Sequence, residues 1–192
     1  MPLQFRPHYD KIIELLLYLA HVRPGLDKYQ VVKLFYLADR EHLNRYGRPI
    51  TYERYCALQY GPVASNAKDF LEGNKFAMAK INNKQLPFRT ETRKDEKGRD
   101  LLYLQEPLRE VDFDTFSKSD LRVIDEIIER YGQLNFDELY NLTHEHYAYK
   151  NAWRNRRWFA KQADMHYEDM VEDDAKRAEL LDDIGSIAAH MQ

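Results

Sequence analysis

The chain has 192 residues, 44% hydrophobic and 32% charged, with a net charge of −3. That suits one soluble globular domain with a substantial core, and the mild charge decides neither for nor against a nucleic-acid partner. The single cysteine, Cys56, excludes an internal disulfide framework and fits a reducing cytoplasm.

The first predicted element is a helix over Tyr9 to Val22, with an apolar stripe at 12, 13, 16, 17, 19 and 20 that would face a core. Its longest apolar run, Leu15 to Ala20, is far too short for a membrane span. The polar residues ahead of it do not read as a secretory signal, so the expectation is a cytoplasmic protein without membrane association. Arg23-Pro24-Gly25 stops this helix. Asp27 and Gln30 form a capping-box pattern opening a second helix that runs to about Tyr46 and buries Val31, Leu34, Phe35 and Ala38. Gly47 is placed for a left-handed C-cap, and Pro49 prevents the helix from resuming.

The next stretch, TYERYCALQY (51–60), is rich in strand-forming residues, so a strand is expected over 52–60. Gly61-Pro62 is read as ending it, with the proline in the first turn of a helix that Gly73 closes. A hairpin is expected around Asp95 to Gly98, with arms near 88–104. Ser117 or Ser119 caps a further helix that ends at Gly132, and Asn135 opens a short one reaching about His144. Beyond Asp164, Met170, Val171, Ala175, Ala178, Leu181 and Ile184 recur at roughly helical spacing, and one face of this acidic helix is expected to pack. The fold class is mainly helical α+β, with a small antiparallel sheet built from the 52–60 strand and the hairpin.

Candidate chemistry is sparse. His144-Glu145-His146 does not have the H-E-x-x-H spacing that puts two imidazoles on one helix face, so a cap or surface histidine pair is expected and no metal. Cys56 reads as a small packed residue with no neighbouring base. No phosphate-binding glycine loop occurs, and no cofactor or catalytic residue is expected. Asp39 and His42 share a helix face, either as a solvated ion-paired run or as a polar hot spot beside Tyr36, Tyr46 and Tyr60. Residues 150–161 (KNAWRNRRWFAK) hold five basic and no acidic residues around Trp153, Trp158 and Phe159, a composition suited to phosphates and base stacking. The fourteen tyrosines suit half-buried surfaces and interfaces.

The stretch Lys33 to Gly73, KLFYLADREHLNRYGRPITYERYCALQYGPVASNAKDFLEG, resembles the signature of the Panacea, or SocA-like, antitoxin domain. Lys33, Leu34, Tyr36, Ala38, Asp39, His42, Gly47, Arg48, Pro49, Gly61, Pro62 and Val63 carry the match. Tyr131 to Trp153 is similar to the family's second block. The resemblance covers roughly Tyr9 to Trp153; a Panacea-like domain is expected over 1–160, with the acidic helix of 161–192, which lies outside the resemblance, packed on it. The resemblance implies a cytoplasmic, non-enzymatic antitoxin of a bacterial, phage or mobile-element toxin–antitoxin pair, which binds a toxin encoded by a neighbouring gene. The partner surface expected is Tyr36, Asp39, Arg40, His42, Tyr46 and Tyr60, held by the two Gly-Pro corners. A nucleic-acid-binding regulator using 150–161 is the alternative.

Overall fold

The computed structural model describes residues 5–82, 84–179 and 181–182. Helix α1 (Tyr9–Val22) and helix α2 (Lys28–Tyr46) have the predicted bounds. The side chain of Asp27 accepts from Gln30 N while the Gln30 side chain accepts from Asp27 N, and Gly47 ends α2 at φ 72°. Those reciprocal bonds satisfy N–H groups that the helix itself leaves orphaned.

What the sequence pattern understates is how central α2 is. Every residue from Val31 to Asp39 is buried, so this half of the helix is enclosed on all sides. It is enclosed by α3 (Ser65–Leu71), α5 (Lys118–Tyr131), α6 (Phe136–His144) and two small sheets.

The predicted 52–60 strand is shorter, and Gly61-Pro62 does not start a helix. Strand β1 (Tyr55–Leu58) turns straight back into β2 (Gly61–Ala64), with Cys56 opposite Val63 and Ala57 opposite Pro62. Pro62 is tolerated because β2 is an edge strand, and α3 begins only at Ser65. A two-residue strand, β5 (Ala163–Asp164), covers the other side of β1. The predicted hairpin is present as β3 (Phe88–Lys94) and β4 (Asp100–Pro107), but it forms a separate sheet rather than joining β1. Between the sheets lies the short helix α4 (Lys75–Lys80). Ser117 and Asp120 form the capping box of α5, and Asn135 and Glu138 that of α6. Gly132 ends α5 at φ −66°, without the left-handed turn of Gly47.

Helix α7 (Tyr147–Asn155) leads into the chain's last packed segment. This is not the continuous helix expected after Asp164. Met165, Tyr167, Met170 and Val171 are buried, but they lie on extended backbone and a 3-10 turn, Tyr167–Met170. Helix resumes only after Asp173, where Ala175, Ala178 and Leu181 are exposed, so the expected packing face is absent there. Ile184 lies outside the described residues.

Candidate partner-binding surface

Most of the signature residues hold the fold from inside. Asp39 is fully buried, and its Oδ1 accepts from Ile50 N and Thr51 N, both at 2.8 Å. Its Oδ2 accepts from Thr51 Oγ1 at 2.6 Å and Tyr55 Oη at 2.9 Å. Burial pushes its pKa up, opposed by those four donors. His42 is also fully buried and donates through Nδ1 to the Arg48 carbonyl at 2.7 Å. Asp120, on α5, gathers Lys11 at 2.6 Å, Arg48 at 2.8 Å and His42 at 3.1 Å. Burial alone would raise this carboxylate's pKa, yet its bonds to His42 and Lys11 hold it well below the usual range. Arg48 also donates to the Pro49 carbonyl at 3.2 Å. The GRPI corner is thus bolted to α1, α2 and α5.

Glu53 plays the same part for α3. Its carboxylate accepts from Arg54 N, Asn66 N and the Asn66 amide on one oxygen, and from Ala67 N on the other. Burial raises its pKa to about 7 against those bonds. Lys33 is a buried cation with no carboxylate partner among the described residues. Its Nζ donates to the carbonyls of Tyr60 and Pro62 at 2.7 and 2.8 Å and lies 4.7 Å from the Tyr29 ring centroid. Desolvation drives its pKa well below the usual lysine value.

The six residues expected to form one polar-aromatic patch are therefore not a patch. Tyr36, Asp39 and His42 are fully buried because α2 is enclosed. Arg40 is largely covered by its ion pair with Glu172. Tyr46 is exposed beside His42, its ring 4.7 Å from the imidazole. Arg40 and Tyr46 line smaller, separate hollows, and Tyr60, 54% exposed, opens onto a wide one.

That concavity is an apolar groove of about 1090 Å³ between the start of α2, the end of α3 and the β3–β4 hairpin. Tyr29, Tyr60, Leu71, Leu86, Leu102 and Phe136 provide its apolar lining, and Phe136 is 44% exposed. From the groove, rings run in succession along α6 and α7. Phe136 meets Tyr60 at 5.8 Å and Tyr140 at 6.0 Å, Tyr140 stacks on His144 at 3.6 Å, and His144 meets Tyr149 at 4.3 Å. Tyr149 then stacks on Trp153 at 6.1 Å, and the Arg156 guanidinium lies 3.8 Å from the Trp153 ring. Aromatic contacts of this kind add to the burial of the rings themselves. The i, i+4 spacing of Phe136, Tyr140 and His144 was available in the sequence as a signal for half of this ladder.

The two histidines are packing elements. His144 is a rung of the ladder, and His146 precedes α7 with Nδ1 3.2 Å from the Tyr36 hydroxyl. Burial lowers the His146 pKa to about 4, with Arg40 adding to the effect. No cluster of three metal-ligating side chains occurs among the described residues, and none of their helices is long and apolar enough to cross a membrane. Cys56 is buried, and desolvation raises its thiol pKa, the opposite of what activates a nucleophile.

Neither a curated protein nor a solved structure matches the chain. The family model described as "Antitoxin SocA-like, Panacea domain" matches residues 31–153, from the enclosed half of α2 to Trp153. The chain belongs to the SocA-like, Panacea-domain family.

Proposed function

We propose that the protein is the antitoxin of a two-gene toxin–antitoxin system, and that it neutralises its toxin by direct, stoichiometric contact in the cytoplasm. It works as a binding module without catalysis. The family match supports this reading. The observation that carries the placement of the surface is the open apolar groove walled by Tyr60 and Phe136, since large pockets of this kind are the default binding sites of a domain. Tyrosine and other aromatic anchors concentrate interface energy. The buried signature residues keep the scaffold in shape, which leaves the exposed rings free to vary with the toxin.

The test is co-expression with the neighbouring gene. The neighbour expressed alone should arrest growth, the pair should not, and the two proteins should co-purify in a fixed ratio. A harmless neighbour, or toxicity that persists beside folded partner, would overturn the reading.

A further inference from the structure

The ring ladder ends at a second exposed feature. Past α7 the chain makes a tight turn, closed by Ala160 N donating to the Arg157 carbonyl at 2.8 Å. At its tip Trp158 is 91% exposed and Phe159 65% exposed, the two rings in edge-to-face contact at 5.5 Å. Arg154, Arg157 and Lys161 flank them in the sequence, and none forms an ion pair among the described residues.

The tip is held at both ends. On one side the Arg156 guanidinium lies on Trp153 and donates to its carbonyl at 2.6 Å. On the other, Ala163 and Asp164 pair with β1, and Arg54 clasps Asp164 at 2.7 Å. A pre-organised loop loses little freedom on binding, and folding alone gives no reason to hold two adjacent rings in water.

From this we infer that the 157–161 tip is the anchor that seats in the protein toxin, entering an apolar cleft whose rim carries carboxylates. The inference rests on the antitoxin reading. Charge complementarity sets the chemistry of the cleft: two rings for an apolar floor and three unpaired cations for an acidic rim. Tryptophan and arginine are also the side chains most enriched at interface hot spots.

The local charges disfavour the other two classes of surface that take up aromatic-basic tips. The basic run stops at Lys161 in the sequence, Asp169 is bonded to Asn151 midway along α7, and the acidic Glu172, Asp173 and Asp174 follow in the same strap. An anionic bilayer or a polynucleotide extending past the tip would meet those carboxylates, whereas a cleft closing over two rings would not.

The test uses the full-length protein with three probes: the product of the neighbouring gene, a single-stranded oligothymidylate, and vesicles containing phosphatidylserine. Trp153→Phe leaves Trp158 as the sole tryptophan, so its emission reports the tip directly. We expect a blue shift with the neighbour's product alone, at least ten-fold weaker binding for the Trp158→Ala/Phe159→Ala double variant, and a similar loss for Arg154→Glu/Arg157→Glu. Unchanged circular dichroism and melting temperature would show that the tip variants remain folded. If those variants bind and neutralise the toxin like wild type, the anchor assignment is overturned while the antitoxin reading stands. If wild type does not bind the neighbour's product, both fall. Tip-dependent binding to the oligonucleotide or vesicles, with none to the neighbour's product, would reassign the tip to that surface and overturn the inference.

Discussion

Lys33 Nζ lies directly against Gly61: a Cβ built on that glycine would stand 2.6 Å from the nitrogen. Gly61 also has φ +98°, so two independent constraints exclude a side chain there.

Gly61→Ala should therefore lose about 1–3 kcal/mol through backbone strain alone, and more as Nζ is pushed off the Tyr60 and Pro62 carbonyls. Urea denaturation measures the loss. Because the ammonium is the obstacle, Gly61→Ala should cost less in a Lys33→Met background than in wild type, giving a non-additive double-mutant cycle. Strict additivity would show that the contact does not matter.

Asp39 accepts five hydrogen bonds and Glu53 four, but the donors differ. Three of Asp39's donors are hydroxyls, from Thr51, Tyr55 and Tyr167, which can reverse and accept from an amide. All four of Glu53's donors are N–H groups, which cannot. Asp39→Asn should thus be mild, while Glu53→Gln should lose about 3 kcal/mol by setting an amide against an N–H. Asp39→Ala, which orphans the buried Ile50 and Thr51 N–H groups, should be at least as severe. Chemical unfolding of the three variants gives the order, and equal losses for Asp39→Asn and Glu53→Gln would refute the distinction.

His146 provides a pH prediction. Its folded pKa of about 4 lies below the ordinary 6.5, so its stabilising contribution is full above 6.5 and is lost as pH falls through 4. Glu53, raised from 4.5 to about 7, acts in the opposite sense over nearly the same range, which flattens the wild-type profile. The difference between wild type and His146→Gln cancels that background. It should grow by about 3 kcal/mol from pH 4 to 7, at roughly 1.4 kcal/mol per pKa unit. Melting curves at three pH values would check it.

At the groove, Tyr60→Ala and Phe136→Ala should weaken toxin binding by about 1–2 kcal/mol each, the scale of moderate interface anchors. Both rings are half in solvent, so stability should change much less than for Asp39→Ala. Calorimetric titration beside thermal melts separates the two effects, and a matched loss of binding and stability would assign these rings to the fold instead.

Helices α2, α5 and α6 were legible because their ends carry their own chemistry: Asp27 with Gln30, Ser117 with Asp120, Asn135 with Glu138, and Gly47 at positive φ; α4 and α7, which were not expected, lack such a capping box. The hairpin was legible from Asp95 to Gly98. The β1–β2 turn was not, since Gly61-Pro62 equally suits a helix start, and only the β1 pairing decides. The partner surface was misplaced for a physical reason. Tyr36, Asp39 and His42 read as one face of an amphipathic helix, yet α2 is enclosed by elements far away in sequence, such as α5 with Asp120 against His42 and the Tyr167 hydroxyl, 3.4 Å from Asp39. Local spacing carries no record of such closure. Tyr60 alone of the six lines the groove.

Strand β5 has a consequence for how the protein is made. Until Ala163 and Asp164 arrive, β1 has an open edge, and the Glu53 carbonyl lacks the bond it accepts from Tyr167 Oη at 2.7 Å. Asn44, in α2, likewise waits for Met170 and Glu172, whose backbone groups it clasps at 2.8 and 2.9 Å. A chain emerging N-terminus first from the ribosome therefore carries an unpaired strand edge, of the kind that templates aggregation, until Asp164 has been synthesised. Premature termination near residue 160 would leave a sticky fragment rather than a smaller working domain.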